Sequence, residues 1–143
     1  MDRRATSKLD TQKFIRTIRV SLALEFIVGI ADWVLRDNSA GAVLQTIDVA
    51  SVVATLVILF YLGWQVAIAY EERPLVKAVG MGLFVWFVST VMFTGGIGLA
   101  LSILSAPEHW GLTGPALAFV LFAPAAAVAP MLGAFLRSRY RAG

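Results

Sequence analysis

Apolar residues in this chain gather into long, nearly unbroken blocks, unlike the one-faced or alternating patterns of a water-exposed fold. The first block runs roughly from Phe14 to Leu35 and the second from Val49 to Tyr70. The third starts near Leu75 and can extend to Leu104, and the fourth runs roughly from Ala116 to Leu136. Each has the roughly 20 residues a helix needs to cross a hydrocarbon core about 30 Å thick. The pattern predicts an all-α membrane protein: a four-helix antiparallel transmembrane bundle, with residues 1–143 as a single transmembrane domain. The third block is too long for one crossing at about 1.5 Å per residue. It must tilt, protrude or break, and Gly95-Gly96-Ile97-Gly98 is its weak point.

The polar punctuation fits the same plan. Asp37-Asn38-Ser39-Ala40-Gly41 is turn chemistry, and Glu71-Glu72-Arg73-Pro74 reads as a short polar hairpin. Ala106-Pro107 closes the third block, and Thr113-Gly114-Pro115 opens the fourth with proline near a helix start. Ser7-Lys8-Leu9-Asp10 fits a capping box, so a helix starting near Leu9 on the membrane surface and a frayed basic tail are both open. No internal repeat is evident, which argues against an inverted-repeat transporter within one chain.

Composition strengthens the membrane reading. Hydrophobic residues make up 59% of the 143 and charged residues only 15%, too few to coat a soluble domain of this length. The net charge of +3 could suggest nucleic acid as a partner. The basic residues, however, sit at the block ends, where anionic lipid headgroups are the better match. Arg3, Arg4, Lys8, Lys13, Arg16, Arg19, Arg73, Lys77, Arg137, Arg139 and Arg141 all fall on one side of the plan, and Arg36 alone falls on the other. The positive-inside rule then places both termini in the cytoplasm. The expected location is a bacterial inner (plasma) membrane, crossed several times. The N-terminal stretch does not read as a cleaved signal, because its apolar run carries two acids and no small-x-small site.

Candidate chemistry concentrates in the first block. Glu25 and Asp32 are seven residues apart, on one helix face and about 10 Å apart along the axis. Ser21, Gly29 and Arg36 share that face, and Arg36 is placed to pair with Asp32. An ionised carboxylate near the bilayer centre costs about 2.5–3.5 kcal/mol, so Glu25 needs a reason to be there. The second block carries a matching polar stripe at Asp48, Ser51 and Thr55. A short loop joins the two blocks, so these stripes can meet as an acidic vestibule leading to Glu25. Three readings follow for Glu25: an ion or proton site, a neutral hydrogen-bonding group between helices, or a contact for a partner's basic residue.

Other features have sharp and bland readings. Gly80 and Gly82, with Gly95, Gly96 and Gly98, suit close helix packing or a flexible gate. Pro124 and Pro130 interrupt an alanine-rich fourth block, where freed carbonyls could hold an ion or the kink could serve packing. Trp33 and Trp110 suit interfacial anchors. Trp64 and Trp86 lie deeper, as walls of a ligand site or as lipid-facing bulk.

No cofactor is called for. Cysteine is absent, His109 is the only histidine, and no lysine lies mid-block, which disfavours thiolate metal sites, bis-histidine haem and retinal. Protease, hydrolase and phosphate-loop signatures are absent, so an enzyme is not expected. In its four predicted passes and the mid-first-pass Glu25, the chain is similar to small multidrug exporters, which act as paired subunits. The likeness covers one residue and a pass count, and this chain has in addition a longer basic N-terminus, a longer third pass and a second acid.

The expected function is a small integral membrane transporter or channel for protons or cations, acting as a homo-oligomer. Glu25, Asp32, Asp48, Ser51 and Thr55 would line its path. The alternative is a non-catalytic accessory or assembly subunit of a larger membrane complex.

Overall fold

Helix ends fall where the backbone needs turn chemistry, and helix interiors run well past the apolar blocks. The protein, seen in a computed structural model, is described over residues 3–38, 40–92 and 113–142, with side chains for 10–35, 38, 40–92 and 122–142. Four helices are found there: α1 (Arg3–Asp37), α2 (Ala42–Ala69), α3 (Pro74–Val91) and α4 (Thr113–Ala142). The turn residues of the sequence map onto their junctions. Gly41 adopts φ 61°, a left-handed value that a side chain would strain, and its carbonyl accepts from Leu44 N at 3.1 Å to start α2. Tyr70 closes α2 in extended conformation, and Arg73, at φ 50°, turns the chain into Pro74 at the first position of α3.

Backbone hydrogen bonding does not stop where hydropathy does. α1 passes straight through Ser7–Asp10, so that sequence does not act as a helix start. α2 starts at Ala42, ahead of the apolar run, taking in Gln45, Thr46 and Asp48. α4 starts at Thr113, as the Thr-Gly-Pro signal implied, and continues through both Pro124 and Pro130. Residues 93–112 lie outside the described residues, and with them Gly95, Gly96, Gly98, His109 and Trp110.

The helices pack side by side, α2 against α1, α3 and α4, and α3 also against α1 and α4. The core is aliphatic and centred on α2, with Leu59, Leu62 and Val66 fully buried and Ala78, Val85 and Ala134 facing them. Small residues set the spacing. A Cβ added to Gly63 would collide with the Pro130 carbonyl, and one added to Gly133 would collide with the Phe60 carbonyl. A Cβ on Gly82 would strike the Pro130 ring and come within 3.0 Å of the Ala126 oxygen. Gly80, two residues earlier, has open space around it. Pro130 is thus buried in the crossing of α2, α3 and α4, whereas Pro124 is exposed.

Large apolar side chains also cover the outside. Ile27 (61% exposed), Val57 (61%) and Val76 (70%) are among many that face outward on α1 to α3, joined by Leu132 and Phe135 on α4. α2 and α3 are long and apolar enough to cross a membrane.

Candidate functional site

The inward face of α1 follows helical spacing: Phe14, Ile18, Ser21, Leu22, Glu25 and Asp32 are buried or half-buried, while Leu24, Ile27 and Ile30 point away. Glu25 therefore lies inside the helical packing, only 6% exposed, and Ser21 one turn before it is 1% exposed. On α2, Ser51 and Thr55 are one turn apart, on the ridge that continues into Leu59 and Leu62.

The two stripes meet rung by rung. Ser51 Oγ donates to Asp32 Oδ1 at 2.7 Å, and Thr55 Oγ1 donates to Glu25 Oε2 at 3.2 Å. Two carboxylates of α1 thus each receive a hydroxyl from α2, with the tighter bond at the half-buried end and the looser one inside. Asp48, one turn before Val52 on the same helix, is exposed. The Arg36 side chain lies outside the described residues, as does any pairing it makes with Asp32.

The inner rung is incompletely satisfied. Glu25 Oε1 and Ser21 Oγ are both buried without a hydrogen-bond partner. Buried polar atoms are nearly always paired, because an orphaned one carries its desolvation penalty uncompensated, about 1–3 kcal/mol. Among the described residues, the two buried side-chain polar atoms without a partner lie one turn apart on one helix face.

Beyond Thr55 lies a cavity of about 190 Å³ between α2, α3 and α4. Ser51 and Thr55 form its polar wall, and Leu59, Trp86, Phe122 and Ala126 are among its apolar ones. Thr55 thus touches the cavity on one side and bonds Glu25 on the other. Trp86 is 9% exposed and part of this wall, so it does not serve as lipid-facing bulk. It shares the buried face of α3 with Gly82, four residues earlier. Sequence reasoning did not single out Phe122, which sits in alanine-rich surroundings.

The far end of the molecule is basic and aromatic. Lys13 and Lys77 place their Nζ atoms 4.7 and 4.6 Å from the centre of the Tyr70 ring, and the Arg137 guanidinium lies 5.3 Å from the Trp64 ring. Arg141 bonds Glu71 at 3.1 Å in an exposed pair. The start of α1, the α2–α3 turn and the end of α4 therefore share one end, and Trp64 belongs to it. From Lys13 to Asp32 along α1 is about 28 Å at about 1.5 Å per residue, close to a hydrocarbon thickness.

Among the described residues, no group of three or more His, Cys, Asp and Glu gathers. The oxygens at Glu25, Ser21 and Thr55 suit protons, water or hard monovalent ions better than transition metals. Compared with protein-family models, curated proteins and solved structures, the chain matches none.

Proposed function

We propose that this protein is a small integral membrane transporter or channel for protons or cations, with Glu25 as the group that takes up and releases them. All four helices would cross the bilayer. Both termini and the Glu71–Pro74 turn would lie on the cytoplasmic side, and Asp32 and Asp48 would lie toward the outside. The outward-facing apolar side chains and the basic cluster at the Tyr70 and Trp64 end support that placement.

The observation that carries the reading is the half-used carboxyl of Glu25: Oε2 is held by Thr55, and Oε1 is buried without a partner. A group kept only to clamp helices gains by satisfying both oxygens, whereas an exchanging group needs one free. The route to it follows the ladder. Hydroxyls both donate and accept, so Ser51 and Thr55 can relay a proton or line an ion's path between Asp32 and Glu25. The adjoining cavity supplies room for water beside both hydroxyls. One chain holds little interior for a continuous path, so the active form would be a homo-oligomer.

A second reading rests on the ladder itself. Two interhelical bonds between α1 and α2 also suit an accessory or assembly subunit whose carboxyls hold its helices in register. One experiment separates the two. In proteoliposomes, Glu25→Gln is expected to abolish ion-dependent flux while leaving helical content and oligomer size unchanged. Unchanged flux sinks the transport reading; joined with co-purification of a larger partner at fixed stoichiometry, it establishes the subunit reading.

A further inference from the structure

The unpartnered serine beside Glu25 narrows what the site holds. Several helical hydroxyls of the chain donate to a carbonyl one turn back: Thr17 to Lys13 at 2.8 Å, Thr46 to Ala42 at 3.2 Å, Ser138 to Ala134 at 2.9 Å and the buried Ser89 to Trp86 at 3.0 Å. Ser21 is the more deeply buried residue and has the greater need of that bond, yet its hydroxyl has no partner. Nor do Ser21 Oγ and Glu25 Oε1 bond each other, although one helical turn separates their residues. They are two lone-pair donors on one face, held apart.

We propose that Ser21, Glu25 and Thr55 form a binding site for a monovalent alkali cation, taken up in competition with a proton. This rests on the reading of Glu25 as an exchanging carboxyl and adds the identity of the ion. A proton on Glu25 serves the Ser21 oxygen only if the two groups, unbonded in the structure, close on each other. A small cation draws on a carboxylate oxygen and the hydroxyl oxygens at once, which answers both orphaned atoms. Charge selects its valence: one carboxylate neutralises one positive charge, and a divalent ion would leave a net charge buried away from water. Oxygen-only donors select a hard ion. The cavity against Thr55 has room for a few waters at about 30 Å³ each, so an ion can arrive hydrated and exchange water for protein oxygens in passing Thr55.

The surrounding charges leave this competition to Glu25. Asp32 on α1 lies about 10 Å away along the axis, and Asp48 on α2 lies two turns from Thr55 at an exposed position. α3 brings only Lys77, which is at the Tyr70 end, and the described arginines of α4, Arg137, Arg139 and Arg141, are at that end too. Tyr61 on α2 is exposed and Tyr70 lies with the lysines.

The test uses the full chain in lipid nanodiscs and a hydrophobic carbodiimide, which labels buried protonated carboxyls. Mass spectrometry reads the rate of labelling at Glu25. Sodium chloride is expected to slow labelling where choline chloride at equal ionic strength does not, and more sodium should be needed as pH falls. Ser21→Ala should keep Glu25 reactive while raising the sodium concentration for half-protection by about tenfold, the loss of one ligand oxygen. Labelling that sodium leaves unchanged overturns the cation site, and if Glu25-dependent proton flux persists the transport reading stands without it. Sodium protection in a protein whose Glu25→Gln variant conducts normally supports the site and overturns the transport reading instead.

Discussion

α2 meets α4 and α1 in opposite ways. Against α4 it presents backbone to backbone, with Gly63 under the Pro130 carbonyl and Gly133 under the Phe60 carbonyl. Against α1, in its first half, it presents hydroxyls to carboxyls, Thr55 to Glu25 and Ser51 to Asp32. The first contact is a matter of shape. The backbones approach so closely that only glycine permits it here, the kind of van der Waals contact that holds helices together where hydrophobic gain is small. The second contact is a matter of chemistry: two hydroxyls meet two carboxyls, and under the proposed function that is where a proton or an ion would exchange. Close backbone packing and polar side-chain pairing thus occupy different faces of one helix.

The sharpest way to break that division is at the dry contact. Gly63→Ala puts a methyl group into the Pro130 carbonyl, with no flexible side chain to yield. We expect a loss of about 3 kcal/mol or more, read as early thermal unfolding in mild detergent. Should Gly63→Ala unfold like the parent protein, the α2–α4 contact is not the rigid one. Thr55→Val probes the wet contact with a side chain of the same shape. It should cost only about 0.6–2 kcal/mol of stability, the range for a single interhelical hydrogen bond in lipid, while flux falls well below that of the parent protein. A variant as unstable as Gly63→Ala would make the ladder structural. The smallest effect is expected at Gly80, where there is open space. Gly80→Ala should leave flux alone and stabilise α3 by about 0.5–1 kcal/mol through helix propensity, seen as a slightly later unfolding transition.

Sequence and structure agree best where periodicity and cost coincide. Glu25 and Asp32 are conspicuous because acids are scarce in apolar helices, and their seven-residue spacing, set beside Ser51 and Thr55, was enough to pair the two faces. The basic end was legible for a similar reason: charges are few and cluster at block ends. The α2–α4 crossing was not legible. Gly63 and Gly133 sit in apolar runs, and a missing side chain in a sequence does not say which neighbour needs the space. Gly80 and Gly82 show the limit within three residues, since both are glycine in one helix and only Gly82 faces Pro130. Helix lengths were underread because hydropathy reports solvent preference, whereas Gln45, Thr46 and Asp48 join α2 through backbone bonds that any of these residues can make. Trp86 stayed open between a ligand-site wall and lipid-facing bulk because a large ring suits either, and only the position of α4 reveals the cavity it closes.

Pro130 has one more effect. Having no amide hydrogen, it cannot donate to the Ala126 carbonyl, whose oxygen lies near Gly82, and Ala126 borders the cavity. The α4 wall beside that chamber therefore carries a peptide dipole released from its helical partner. Unlike Glu25 across α2, it has no ionisable proton, so its electronegativity is the same in acid and in alkali. Thr55 stands between the two, lining the chamber and bonding Glu25, so the fixed dipole and the ionisable group lie on opposite sides of one hydroxyl.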